Sequence, residues 1–130
     1  MAGMAQAFAD ALRQAEEAGD PAPLEGLFAE GAELRNLALA ERGEGAARRF
    51  WQTYLDQFER VRSSFSHLIE QDGQAALAWT SEGRLRGGHP IRYRGVSILE
   101  HDGAKLTHFE TVYDSAAFVT HDPSVTDAGP

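Results

Sequence analysis

The chain of 130 residues contains no cysteine, which excludes disulfides, thiolate nucleophiles and cysteine-ligated metals from the outset. Basic residues are also scarce: 12 Lys and Arg stand against 20 Asp and Glu, for a formal net charge of −8. A phosphate-binding surface needs clustered Lys and Arg, so nucleic acid is not an expected partner. Arg84, Arg86, Arg92 and Arg94 form the one local concentration, and a solvated hairpin edge accounts for them. No run approaches the roughly 20 apolar residues that span a bilayer. Met1 to Gln6 lack a basic region followed by an apolar run, so no signal peptide is expected and a cytoplasmic location is the default. Phosphate loops, zinc-ligand spacings and dinucleotide fingerprints are missing too, which makes a protein with neither cofactor nor metal the natural expectation.

What is present is ordinary globular material, 42% hydrophobic and 25% charged, in a chain long enough for one core. Met4, Phe8, Ala11, Leu12 and Ala15 recur at helical spacing, and Gly19-Asp20-Pro21 ends that helix. Leu24, Leu27 and Phe28 predict a short second helix ending before Gly31, followed by a strand over Ala32 to Asn36. Gly43 to Arg60 reads as the longest helix, with Ala47, Phe50, Trp51, Tyr54 and Phe58 in one stripe. Three turn signals, Asp72-Gly73, Gly87-Gly88 and Asp102-Gly103, then separate strand-like runs. They predict a meander of Ser63–Gln71, Gln74–Arg86, Ile91–His101 and Ala104–Asp114.

Helices first and strands second indicate an α+β fold, one domain over 1–114, with 115–130 a polar tail expected to be partly mobile. Three helices can cover only one sheet face, yet Val96 and Ile98 alternate with Tyr93 and Leu99. The uncovered apolar face predicts a homodimer packed through the sheet.

Several segments together resemble the nuclear transport factor 2-like superfamily, especially its SnoaL-like branch. They are Ala18-Gly19-Asp20, Leu27-Phe28-Ala29-Glu30, Gly31-Ala32-Glu33-Leu34-Arg35, Arg42-Gly43, Gly95-Val96-Ser97-Ile98-Leu99 and Val112-Tyr113-Asp114. The resemblance implies a cone-shaped domain whose curved antiparallel sheet and three N-terminal helices enclose a pocket for a small apolar organic molecule. It also implies chemistries that can be compared residue by residue. A ketosteroid isomerase needs a carboxylate base, which falls at Asn36, and two donors, which fall near Leu12 and at Ser97. Asn cannot take the proton and Leu cannot donate, so that set is not intact. An epoxide hydrolase-like set retains Asn36, but its other positions fall near Thr80 and Glu82 and at Thr111, without the Arg and one Asp. A cyclase or dehydratase needs one titratable group inside the pocket.

Strand register decides which group that is, because a slip of one residue exchanges the faces. If Gly103 closes a three-residue loop, Glu100 pairs with Ala104, and Tyr93, Gly95 and Ser97 share a face with Thr107, Phe109 and Thr111, the set that the resemblance puts inside; a four-residue loop instead places Arg94, Val96 and Ile98 beside Phe109 and Thr111. The same loop at Gly73 sets His67 beside Leu77 and Phe65 beside Trp79. A two-residue turn at Gly87-Gly88 brings Ala78, Thr80 and Glu82 inward, whereas one extra loop residue brings Trp79, Ser81 and His67 instead. Glu82 or His67 is therefore the candidate catalytic group, as alternatives. The candidate ligand contacts are Leu12, Asn36, Tyr54, Tyr93, Ser97, Phe109 and Thr111. Asn36 has a second explanation, the satisfaction of nearby backbone. The expected activity is small-molecule binding, with isomerase, cyclase or dehydratase chemistry open; a non-catalytic binding or interaction module is the alternative, and an epoxide hydrolase-like enzyme using Glu82 and Asn36 is the third reading.

Overall fold

The structure is a computed structural model that describes residues 3–119. Helix α1 (Met4–Ala18) buries Phe8, Leu12 and Ala15 and closes on Gly19, whose φ of 66° is the left-handed cap expected there. Its N-terminus has no cap of its own. Glu70 supplies one from across the fold, accepting from the Ala5 N–H at 2.9 Å and from the Met4 N–H at 3.4 Å. Those bonds hold the Glu70 carboxyl below its ordinary range.

Helix α2 is only Ala22–Glu25, shorter than expected. Leu27 and Phe28 do not extend it: strand β1 (Phe28–Arg35) begins there, because Phe28 pairs with Leu106 and the Leu27 carbonyl accepts from the Leu106 N–H. Pairing with the last strand wins over helical spacing. A short strand not anticipated from sequence, β2 (Ala40–Arg42), returns beside β1. Helix α3 (Ala46–Asp56) starts after Gly45 and stops about one turn short of the expected Arg60. Its last carbonyls are taken by Arg86: the side chain donates to the Asp56 oxygen at 2.8 Å and the N–H to that of Gln57 at 2.9 Å. Phe58 is thereby released into strand β3 (Phe58–Gln71), opposite Leu85.

Strands β4 (Gln74–Leu85), β5 (Pro90–His101) and β6 (Leu106–Tyr113) complete a six-stranded sheet in the order β2-β1-β6-β5-β4-β3. All pairs are antiparallel except β1 with β6, which is parallel. The fold is thus α+β with a curved open sheet, helices covering one face. Its main core gathers around Phe109, whose ring lies 4.9 Å from Trp51, 5.5 Å from Phe8 and 5.6 Å from Phe50. Ser115–Phe118, expected to open the tail, form a 3-10 turn that sets Phe118 4.7 Å from the Tyr93 ring. The tail from 120 onward lies outside the described residues.

Each hairpin differs from its expected loop. Asp72 and Gly73 have φ of 52° and 80° and form a two-residue turn, with Gln71 opposite Gln74. A bulge at Ser66 then shifts the ladder by one residue, so Phe65 still faces Trp79 but His67 faces Ala78. The β4–β5 connection has the longer alternative, with Ser81 opposite Tyr93 and Trp79 opposite Gly95. Glu100 pairs with His108 rather than Ala104. There the loop Asp102–Lys105 and a bulge at Thr107 cancel in parity, so Tyr93, Gly95 and Ser97 do share a face with Phe109 and Thr111. No described helix is long and apolar enough to cross a membrane.

Candidate functional site

Between the sheet and helices α1 and α3 lies a cavity walled chiefly by rings: Phe50, Trp51 and Tyr54 from α3, Trp79 and Tyr93 from the sheet, and Phe109. Leu12, Asn36, Ser81 and Thr111 also line it, and Gln57, Tyr113 and Phe118 stand at its more exposed end. The centre of a water-sized sphere can move through about 40 Å³ of it. That exceeds the ~10–15 Å³ one water needs and falls short of the ~150 Å³ that holds a benzene ring in a protein interior. A single-ring ligand therefore requires a wall element to move. Phe118 stands on a 3-10 turn of four residues, outside the sheet and the three α-helices.

Leu12, Asn36, Tyr54, Tyr93, Phe109 and Thr111 come together at this wall. Ser97 does not reach it. Its oxygen accepts from Trp79 Nε1 at 2.9 Å and its proton goes to Thr111 Oγ1 at 3.0 Å. The serine thus orients the Trp79 indole, with no proton left for a ligand. Gly95 makes room for that indole, since a Cβ there would lie 2.7 Å from Trp79 Cζ2. Asn36 lines the cavity and also fulfils its second explanation: its Oδ1 accepts from the Ala38 and Leu39 N–H groups, both at 2.8 Å.

Glu82 and His67 are placed elsewhere, and the expectation that one of them faces the cavity is corrected. The longer β4–β5 connection turns Glu82 to the sheet's other face, exposed, in a groove with Arg60, Arg62 and Arg92. The bulge at Ser66 turns His67 out as well, where its Nδ1 meets Ser66 Oγ at 3.0 Å. The Glu–Asn arrangement of an epoxide hydrolase-like site accordingly does not form. Among the described residues no group of three or more His, Asp or Glu could hold a metal.

The titratable group beside this cavity is one the sequence reasoning missed. Glu16 of α1 is only 9% exposed and accepts three hydrogen bonds: Ser63 N–H at 2.7 Å, Ser63 Oγ–H at 2.6 Å and Tyr54 O–H at 2.7 Å. Ser63 Oγ in turn contacts Ser81 Oγ at 2.6 Å. Burial raises the Glu16 carboxyl above its ordinary value, and the bonds from Ser63 and Tyr54, with Arg13's charge, only temper that rise. Burial likewise pushes the Tyr54 and Tyr93 phenols up, with the Glu16 charge adding to both, so they remain protonated. A signal was available. Phe8, Leu12 and Glu16 follow at intervals of four, so the carboxylate continues an apolar helix face. It sits one turn beyond Leu12, where the resemblance set a donor.

Comparisons with known proteins agree with this architecture. The family model described as SnoaL-like domain matches residues 5–109. A search of curated proteins finds no match. Among solved structures, AclR from Streptomyces galilaeus superposes with a TM-score of 0.76 at 11% identity, over 96% of this chain and 84% of that one. A protein with a ketosteroid isomerase-like fold from Catenulispora acidiphila DSM 44928, solved in complex with trimethylamine, gives 0.74 at 18% identity over 85% and 87%. An NTF2-like protein from Burkholderia thailandensis E264 gives 0.74 at 19% over 91% and 95%. At such identities these structures speak for the fold, while the family match covers most of the sequence. The chain belongs to the SnoaL-like domain family.

Proposed function

We propose that this protein binds a small, mostly apolar organic molecule in the ring-lined cavity, the ligand entering past Phe118. The observation that carries the proposal is the wall itself, six aromatic side chains from helix and sheet converging on a space that Asn36, Ser81 and Thr111 also line. Binding is favoured over an assigned reaction because Glu82 and His67, the expected proton carriers, face away from it. Native mass spectrometry of the purified protein should show a co-purified small molecule or, failing that, tryptophan fluorescence should report saturable binding of toluene. Phe118→Ala should tighten toluene binding, because it enlarges the cavity toward the ~150 Å³ that holds a benzene ring. A cavity that takes up no apolar probe in either protein defeats the proposal.

The outer sheet face favours a second element of this reading, a homodimer. Val96, Val112 and Ile69 are exposed there. Along the same face Arg62, Arg92 and Arg94 lie toward one end, with Glu100 and Glu110 toward the other. A two-fold axis through the middle would set each basic end over the partner's acidic end. Sedimentation should give twice the chain mass, and Val112→Asp should give the single mass; a wild-type monomer removes this element and leaves the cavity reading untouched.

A further inference from the structure

The protons that Ser63 and Tyr54 turn toward Glu16 are committed to it. Ser63 donates both its N–H and its O–H to the carboxylate, so Ser63 Oγ retains only acceptor capacity. The 2.6 Å contact between the two serines must then carry the Ser81 proton toward Ser63. Tyr54 likewise commits its proton to Glu16. Tyr54 and Ser81 both line the cavity, and with Glu16 ionised each has lone pairs, not a proton, left for a ligand. The charged and titratable groups around Glu16 are Arg13 on its own helix, Tyr54 of α3 and Tyr93 of β5; β3 and β4 contribute the two serines.

We infer that the Glu16 end of the cavity is an acceptor subsite for the hydroxyl or N–H end of an otherwise apolar ligand. Tyr54 and Ser81 make the contact, and Glu16 acts through them as a positioning residue. The inference rests on the cavity being a ligand site and adds which end of the ligand goes where. It also implies a reversal. A protonated Glu16 can give its own proton to Tyr54, which frees the phenol proton for a ligand acceptor. Because burial raises the Glu16 carboxyl, the reversal falls at higher pH than for an exposed carboxyl.

Three probes of one shape test this: phenol, which donates; benzonitrile, which only accepts; and toluene, which does neither. Affinities are read by tryptophan fluorescence at pH 8 in the wild type and in Phe118→Ala, whose wider cavity removes size as an obstacle. Ratios between variants are compared, because each probe's hydration then cancels. In Glu16→Gln the amide nitrogen donates where the carboxylate accepted, so the phenol-to-benzonitrile ratio should fall about tenfold, the worth of one hydrogen bond. Toluene binding should stay unchanged. Tyr54→Phe, on another helix, should weaken phenol relative to toluene by a similar factor. The wild-type ratio should fall as pH drops through the Glu16 titration, whereas the Glu16→Gln ratio should be flat. Toluene binding with a phenol-to-benzonitrile ratio indifferent to Glu16→Gln and to pH overturns the subsite alone. Failure of all three probes in both cavity forms overturns the ligand site as well.

Discussion

Alternate residues of one sheet live in different solvents. Trp79, Ser81, Tyr93 and Phe109 point toward the helices, into an interior where every ring touches another and the Ser81 hydroxyl meets that of Ser63. Thr80, Glu82, Arg92 and Glu110, their immediate chain neighbours, point outward into water with no helix over them. The same backbone serves both faces, so what separates them is packing alone. A titratable group on the outer face keeps company with water and counter-charges. One on the inner face must be hydrogen-bonded several times over, as Glu16 is, because desolvation would otherwise make its charge prohibitive. Chemistry expected from Glu82 or His67 therefore goes with the wrong face, and the polar end of the cavity comes from a helix instead.

That contrast can be broken by substitution. The largest effect is expected at the centre of the inner face: Phe109→Ala, at 2% exposure, should cost about 3–5 kcal/mol in urea unfolding. Val112→Ala, three residues on and 52% exposed, should cost under about 1 kcal/mol. Similar losses at both sites would refute the distinction. Next comes Gly95→Ala, where the added methyl would meet the Val112 carbonyl oxygen, the Trp79 ring and Tyr113 Cβ. Overpacking of that kind should cost about 1–3 kcal/mol and should shift the Trp79 fluorescence.

The smallest effect sharpens the comparison through pH. The Glu16 carboxyl is raised in the folded state above its ordinary value of 4.5. The stability this group contributes is then complete below about pH 4.5 and is lost as pH rises through the folded value. Wild-type protein should therefore lose stability relative to Glu16→Gln as pH climbs from 5 toward 8. The loss should be about 1.4 kcal/mol for every pH unit by which the folded carboxyl titrates above the unfolded one. Parallel pH profiles for the two proteins would mark Glu16 as an ordinary carboxyl. Glu70 on the strand edge runs the opposite way: its carboxyl is lowered, so its contribution is present above pH 4.5 and is lost in more acid solution. Glu70→Gln should remove only that acid-side loss.

Much of this protein was legible in its residues. The period of Phe8, Leu12 and Ala15, the stop at Gly19 and the three glycine turns predicted the helix-then-meander order. The distributed resemblance identified the family. Spacing and the resemblance together grouped Leu12, Tyr54, Tyr93, Phe109 and Thr111 at one wall, because side-chain periodicity along helix and strand is a local property and the resemblance named the inner face. The end of α3, the switch of Phe28 from helix to strand and the faces of Glu82 and His67 were not legible. Each depends on a partner far along the chain or on a local irregularity. Arg86 takes the last carbonyls of α3, Leu106 lies beside Phe28, and the bulges at Ser66 and Thr107 are encoded by no pattern of polar and apolar residues. Absence of cysteine, net charge and the helix-then-strand order were determined by the sequence alone, since composition and period need no neighbour, and the family by the resemblance of its segments. Only the tertiary structure decided that a carboxylate on an apolar helix face, and not one on a strand, stands behind the cavity. Its burial and its hydrogen bonds exist only once the surrounding helix and strands have closed around it.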